Sequence, residues 1–214
     1  AADSVGSSNG GAWAYDSEVS YPFGYGLSYT TFSQTLDSLN VDLAAKTVTA
    51  QVTVTNTGDV AGKDVVQLYA SVPYTDYDRE HLVEKAAVQL LDYEKTEELQ
   101  PGESVQITVT ADAQDMASWD STAANAAGTT GNYMLDAGDY YFTIGNGSHE
   151  AVNNVLAAQG YNESNGMTAA GNAANVQTWN LAEMDTTTFA EALSGTAVEN
   201  QLQDMDLNTY MPGT

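Results

Sequence analysis

The sequence contains no cysteine, few basic residues and no long apolar run. Without cysteine the chain has neither disulfide bonds nor thiolate metal ligands, so apolar burial has to stabilise it. Only 5 Lys and Arg stand against 29 Asp and Glu, which gives a formal net charge of −24. Because no basic cluster could neutralise phosphates or anionic lipids, neither nucleic acid nor a membrane surface is an expected partner. No apolar stretch reaches 18 residues, so membrane insertion is not expected.

The overall composition is that of a globular protein despite the acidity. Apolar residues make up 43% of the 214 residues, which argues against wholesale disorder. The N-terminus has neither the basic nor the apolar part of a signal peptide, and it does not begin with Met. We therefore expect a processed or excised fragment. No segment fixes the compartment, and a secreted or cell-surface location is favoured over a cytoplasmic one.

Alternating apolar residues predict strands through the middle of the chain. The clearest strand has its apolar side chains on one face, at Val48, Ala50, Val52 and Val54. Similar runs begin at Phe32, Val65, Ala86 and Val105, and 133–144 has the pattern of a closing hairpin. About seven short strands with turn signals between them predict an all-β fold, a two-sheet β-sandwich over 30–149.

The two flanks lack this alternation. Residues 1–29 are rich in Gly, Ser and isolated aromatics, which predicts an extended arm. In the C-terminal flank, 150–214, apolar spacing predicts a short helix over His149–Gln159, and Asp185 or Thr186 could cap a second helix that ends at Gly195. The last residues are polar and acidic, which is typical of a linker.

Several long segments resemble one enzyme family. The segment YPFGYGLSYTTF at 21–32 resembles the junction that precedes the fibronectin-III-like domain of family 3 glycoside hydrolases of the β-glucosidase type. The resemblance continues in VTVTNTGDVAGKDVVQLYASVPYTDYD at 52–78, in VEKAAVQLLDYEKTEELQPGES at 83–104, in DMASWD at 115–120 and in LDAGDYYFTIGNGSHEAVNN at 135–154. It implies a fibronectin-III/immunoglobulin-like sandwich.

The resemblance also implies a function for this chain. Family members hydrolyse terminal β-glucosidic or related bonds with carboxylates on an α/β sandwich domain and a β/α barrel domain. Neither catalytic motif occurs here, so no catalytic residue is assigned and a non-catalytic accessory domain is expected. The tail at 199–210 resembles the approach to a barrel that follows the domain. The alternative is a stand-alone module that binds an oligo- or polysaccharide or another protein.

Two groups of residues are candidate contact sites. The segment 73–82 between two predicted strands reads as a loop, in which tyrosines could stack on a sugar and carboxylates could accept its hydroxyl protons. Its substrate-binding candidates are Tyr74, Asp76, Tyr77 and Asp78. The alternative for this segment is a solvated loop or an interdomain contact. The aromatic residues Trp13, Tyr21, Phe23 and Tyr25 are candidates for docking against a neighbouring domain. Neither a metal site nor a cofactor is expected, because both His residues lack a second His or Cys at ligand spacing.

Overall fold

The computed structural model describes residues 19–165, 167 and 169–205. The predicted docking residue Trp13 and the tail from 206 onward lie outside the described residues. The strands and helices are β1 (Phe32–Asp42), β2 (Thr47–Asn56), β3 (Val65–Ser71), α1 (Asp76–His81), β4 (Gln89–Lys95), β5 (Ser104–Asp112), β6 (Ser118–Ala124), β7 (Thr130–Met134), β8 (Gly138–Gly145), α2 (Ser148–Ala158) and β9 (Val176–Leu181). Short 3-10 turns lie at Ala113–Met116, Ala173–Asn175 and Gln203–Met205.

Strand β2 shows how the sequence pattern becomes one face of the core. It is the central strand of a three-stranded antiparallel sheet in the order β1-β2-β5. Successive side chains of a strand point to opposite faces, so the alternation places every second residue of β2 against the interior. The four apolar residues of this face have no exposed surface: Val48, Ala50, Val52 and Val54.

A four-stranded antiparallel sheet in the order β4-β3-β8-β9 covers that face. Leu68 of β3 and Phe142 and Ile144 of β8 are fully buried and belong to the same apolar core as β2. The two sheets confirm the predicted all-β, two-sheet sandwich. A separate two-stranded sheet is formed by β6 and β7. No helix in the described ranges has the length and apolar composition needed to cross a membrane.

The predicted hairpin over 133–144 is wrong. Strand β7 pairs with β6, whereas β8 lies between β3 and β9. Between β7 and β8 the chain leaves one sheet for another, because Leu135 bridges to Asp185 and the side chain of Asp136 is drawn into the interior. The predicted turn at 136–139 is only partly right, because Gly138 and Asp139 already belong to β8, and a turn signal does not show which strands pair.

The C-terminal flank contributes a strand that the sequence pattern did not reveal. Strand β9 pairs with β8 along its whole length, beyond the 30–149 range predicted for the sandwich. The predicted first helix is confirmed as α2, whereas the second is wrong because the segment is a series of turns. The carboxylate of Asp185 accepts hydrogen bonds from the backbone N–H groups of Thr187 and Thr188, which stabilises a turn at the predicted cap.

The contribution of β9 to stability can be tested at Trp179. Its ring packs edge-on against the buried Tyr140, with 5.1 Å between ring centroids. We expect Trp179→Ala to lower the free energy of unfolding by about 2 kcal/mol, because a partly buried indole and an aromatic contact are lost. Denaturant unfolding measures this loss. Leu193→Ala is the control, since that fully exposed side chain should change stability by less than about 0.5 kcal/mol.

Candidate functional site

The segment predicted to be a loop between β3 and β4 contains the short helix α1. Thr75 precedes it in extended conformation, and its backbone N–H donates to Asp78 Oδ2 at 2.6 Å. The spacing of a hydroxyl residue and an acid three positions later is that of a capping box. Leu82 ends the helix in the left-handed region, with φ 57°. The assignment of 73–82 as a loop was therefore wrong, because Thr75 and Asp78 start a helix.

A buried ion cluster lies beneath α1. The Lys85 ammonium lies 2.8 Å from Asp78 Oδ1 and 2.5 Å from Asp136 Oδ2, and it donates to the Pro73 carbonyl at 2.8 Å. All three charged side chains are at least 94% buried. One cation thus compensates two carboxylates in the interior, and the Thr75 hydroxyl adds contacts to both acids. This cluster fixes α1 on the edge of the sandwich.

A third buried carboxylate, Asp120, also holds α1. Its Oδ2 accepts from the Tyr77 hydroxyl at 2.7 Å and lies 2.7 Å from His81 Nδ1, while its Oδ1 accepts from the Thr122 hydroxyl and backbone N–H. Burial raises the pKa of the Asp120 carboxyl, but the hydrogen bonds from Tyr77 and Thr122 outweigh it, and the pKa lies below its ordinary value. Burial raises the pKa of the Tyr77 phenol, and the hydrogen bond to Asp120 raises it further. The phenol therefore stays protonated and donates to Asp120.

The structure separates the four sugar-binding candidates into two pairs. The carboxylate of Asp78 is fully buried and the phenol of Tyr77 is committed to Asp120, so neither polar group is presented to a ligand. Tyr74 is 53% exposed, with the Arg79 guanidinium 5.5 Å from its ring centre. The exposed carboxylate of Asp76 pairs with the same arginine at 2.5 Å. A sugar contact at Tyr74 and Asp76 stays a prediction.

Sequence reasoning missed the residues that organise this site. Lys85, Asp120 and Asp136 lie far apart in the chain, and each looks like an ordinary surface residue in its own segment. The capping spacing from Thr75 to Asp78 was the one local signal of α1. Among the described residues, no group of three or more His, Asp or Glu side chains is placed to hold a metal ion.

A second candidate site is the aromatic arm, which we define as residues 21–29. Its large apolar side chains project into solvent, with exposed fractions of 48% for Tyr25, 64% for Phe23 and 74% for Tyr21. Leu27 and Tyr29 are more exposed still. Large exposed apolar patches are a common feature of interaction surfaces. The arm is thus available for the docking predicted for Tyr21, Phe23 and Tyr25, which stays a prediction.

The backbone of the aromatic arm is fastened to the sandwich although its side chains are exposed. The Phe23 carbonyl accepts from Ser148 N–H at the start of α2, and the Gly24 carbonyl accepts from Gln67 Nε2 at 3.1 Å. The buried Tyr69 hydroxyl donates to Gln67 Oε1 at 2.6 Å, which orients that amide. Burial raises the pKa of Tyr69 to about 12, so its hydroxyl stays protonated at neutral pH.

Gly24 is required at the point where the arm meets the sandwich. Its φ of 84° lies in the left-handed region. A Cβ atom at this position would lie 2.4 Å from Gln67 Oε1 and 2.9 Å from the Cα atom of Gly147. Any other residue would push the arm off the two contacts that hold it.

The sandwich belongs to a recognised domain class. Residues 64–148 match the family model of the fibronectin type III-like domain, so the chain contains a domain of this family. Together with the β-glucosidase relatives described next, this match confirms the resemblance of the sequence to the corresponding domain of family 3 β-glucosidases.

Relatives of the chain are β-glucosidases. It is 39% identical over 142 residues to β-glucosidase A of Butyrivibrio fibrisolvens, an alignment that covers 60% of this chain and 16% of the relative. It is 38% identical over 130 residues to a β-glucosidase of Ruminococcus albus, covering 59% and 12%. A crystal structure of a β-glucosidase from Paenibacillus barengoltzii matches 80% of this chain and 16% of its own at 30% identity, with a TM-score of 0.54. The chain thus spans less than a fifth of the length of these relatives.

The buried ion cluster makes Lys85 critical for stability. Lys85→Met should lower the free energy of unfolding by about 3–5 kcal/mol, because two carboxylates would remain buried without a counter-charge. Denaturant unfolding at pH 7 measures the loss. The matched control is Lys63→Met, which breaks an exposed pair with Glu97 and should cost about 1 kcal/mol or less. Equal small losses in both variants would contradict this account of the cluster.

Asp120 should make stability sensitive to acid. A carboxyl whose folded-state pKa is depressed stabilises the fold above its unfolded pKa, about 3.9, and loses that contribution as the pH falls through the folded value. Asp120→Asn should therefore cost about 1–3 kcal/mol at pH 7, and this cost should shrink below about pH 4. Unfolding curves across pH 2–7 test this expectation. The control Asp59→Asn, in an exposed turn, should change stability at pH 7 by less than about 0.5 kcal/mol, and a pH-independent cost for Asp120→Asn would contradict the assignment.

Proposed function

We propose that this chain is the non-catalytic accessory part of a family 3 β-glucosidase and supports that enzyme's catalytic domains. The observation that carries the proposal is the pairing of a fibronectin type III-like match with alignments that cover only 12–16% of β-glucosidases. The reaction of the parent enzyme would be the hydrolysis of terminal β-D-glucosidic or related bonds. The remaining domains of that enzyme would be the partners of this chain.

The aromatic arm supports this role as a docking surface. Five large apolar side chains stand exposed on a backbone that Gln67 and Ser148 hold in place. An anchored backbone has already lost most of its conformational freedom, so burying these side chains against another domain would cost less entropy than ordering a flexible segment. More than four fifths of each relative lies outside the matched segment and could supply the covering surface.

The buried carboxylates support a non-catalytic role. Hydrolysis of a glycoside needs two carboxyl groups that reach the scissile bond from both sides. Asp78 and Asp136 lie close together, but both are buried against Lys85. Asp120 is buried and saturated with donors. These three acids act as structural anchors.

A stand-alone carbohydrate-binding module has less support. Such a module would need Tyr74 and Tyr77 as a platform on which a sugar stacks. The Tyr77 ring instead stacks on His81, with 3.9 Å between ring centroids, and its hydroxyl donates to Asp120. Tyr74 remains as a single exposed ring, partly covered by Arg79. Calorimetry with glucans and xylans distinguishes the two roles, since binding that Tyr74→Ala abolishes would favour the module.

The flanks would connect the sandwich to its neighbours. We propose that 1–29 leads from a preceding α/β domain and that 150–214 leads toward a following barrel domain. In support, the C-terminal segment returns to the β6–β7 sheet, where Asn200 N–H donates to the Thr130 carbonyl at 2.7 Å and Asn125 donates to the Val198 carbonyl at 2.8 Å. At residues 198–200 the C-terminal flank therefore lies beside the β6–β7 sheet.

The docking role predicts that substitutions in the arm act only in the longer enzyme. Phe23→Ser combined with Tyr29→Ser should leave the melting temperature of the 214-residue chain unchanged within about 2 °C, because neither side chain is buried. In the longer β-glucosidase the same variant should lower thermal stability and activity on an aryl β-glucoside. The control is Val60→Ser, an exposed apolar residue outside the arm. Hydrolysis by the purified 214-residue chain itself would contradict the proposal.

A further inference from the structure

Leu82 has a backbone conformation that leucine rarely adopts. It ends α1 with φ 57° and ψ 35°, in the left-handed region where the Cβ atom is crowded by the backbone. Its N–H donates to the Asp78 carbonyl, so the end of the helix imposes this conformation. Glycine or asparagine occupies such a position at lower cost. The backbone alone therefore does not account for a leucine here.

The side chain of Leu82 lies mostly in solvent. It is 69% exposed, whereas the next residue, Val83, is buried. Lys46 is the other non-glycine residue with a left-handed φ in the described ranges, and its ammonium lies 5.4 Å from the centre of the Phe189 ring. Lys46 thus has a contact inside the chain that Leu82 lacks. Because strained residues are retained where they have a function, the exposed Leu82 points to a contact outside this chain.

Helix α1 holds Leu82 in a fixed position. Asp78 in the first turn lies 2.8 Å from the Lys85 ammonium, and His81 Nδ1 in the last turn lies 2.7 Å from Asp120 Oδ2. Both carboxylates are fully buried, so α1 cannot move without leaving a buried charge unpaired. A surface that is already rigid loses little conformational entropy when a partner covers it.

Helix α1 and the aromatic arm lie at opposite ends of the sandwich. The arm is fastened at Gln67, near the start of β3, and at Ser148, which follows β8. In contrast, α1 follows the end of β3, and Asp136, which helps to hold it, precedes β8. Because β3 and β8 are antiparallel neighbours, the start of one lies beside the end of the other. A partner at α1 therefore contacts a different region from a partner on the arm.

An exposed leucine of the C-terminal flank lies at the same end as α1. The Asn200 side chain donates to the Ser121 carbonyl at 3.3 Å, and the residues on either side of Ser121 contact His81. Leu202 N–H donates to Asn200 Oδ1 at 3.1 Å, and the Leu202 side chain is 66% exposed. Leu82 and Leu202 are thus both attached to one short stretch of β6. We call these two leucines the α1 surface.

We propose that the α1 surface is a second docking surface, covered by an apolar patch of another domain of the longer β-glucosidase. The proposal rests on the accessory role above and adds a contact at the other end of the sandwich. A second copy of this chain is a poor occupant, because two chains of net charge −24 repel each other. A domain of the same polypeptide is held at a high effective concentration, so a small apolar surface suffices for docking.

The proposal predicts different effects of one substitution in two contexts. Leu82→Asn removes the exposed apolar group and introduces a residue that adopts the left-handed conformation more readily. In the 214-residue chain it should leave the melting temperature unchanged or raise it by about 1–3 °C. In the longer β-glucosidase it should lower the melting temperature by about 2 °C or more, because an apolar contact is lost. Leu82→Met, which keeps an apolar side chain, should retain most of the stability of the longer enzyme.

Thiol labelling measures coverage of Leu82 directly, because the chain contains no cysteine. Leu82→Cys introduces a single thiol into residues 1–214, and a maleimide should label it rapidly in the 214-residue chain. In the longer enzyme, labelling at this position should be at least about tenfold slower by peptide mass spectrometry. Val60→Cys is the matched control, since Val60 is an exposed apolar residue in the loop before β3 and should be labelled at similar rates in both forms.

The outcomes separate this inference from the proposed function. Equal labelling of Leu82→Cys in both forms, or equal shifts in melting temperature for Leu82→Asn, would overturn the α1 surface. If Leu82→Asn leaves the longer enzyme unchanged while Phe23→Ser with Tyr29→Ser still destabilises it, docking through the arm stands and the α1 surface does not. If neither variant affects the longer enzyme, the docking role itself fails.

Discussion

The interior between the two sheets is the constraint on which the rest of the molecule depends. With no cysteine and no metal cluster among the described residues, stability has to come from apolar surface removed from water. Strand β2 supplies one wall, and β3 and β8 supply the other. Strand β8 is a central strand of its sheet, paired with β3 on one edge and with β9 on the other. The C-terminal segment that provides β9 is therefore part of the sandwich rather than an attachment to it.

The scarcity of cations determines where charge can be buried. Among 29 acids, the chain compensates one buried pair with Lys85 and satisfies Asp120 with neutral donors and a histidine. Both solutions hold α1 to the sandwich, so a segment that looked like a flexible loop is a fixed structural element. The remaining acids lie mostly on the surface, where they keep copies of the chain apart. A protein partner that approaches this surface gains from carrying positive charge.

The sequence predicts the sandwich well and its connections poorly. Alternation in β2 and β5 is a local property that follows from the period of the strand, so it is visible without a structure. Strand β9 lacks a strict alternation of apolar and polar residues, and the pairing partners of β7 depend on where Asp136 is buried. The second helix failed because the Asp185 side chain stabilises a turn as effectively as a helix start.

The candidate sites show the same division between local and long-range information. Exposed aromatic residues in a Gly-rich segment can be recognised from the sequence. The aromatic arm lies within 1–29, the range whose Gly-rich composition predicted an extended chain. Asp78 and Tyr77 looked like ligand groups for the same compositional reason, because burial depends on partners such as Lys85 and Asp120 that are remote in sequence.

The aromatic arm is held in place by contacts that reach back to the core of the sandwich. Tyr69, Gln67 and Gly24 form a chain of contacts from the core of β3 to the arm backbone. Apolar side chains of the arm could provide affinity without direction, since the hydrophobic effect is not directional. The fixed backbone of the arm would supply the direction that its apolar side chains lack. Holding a neighbouring domain in one orientation is what the proposed accessory role requires of this surface.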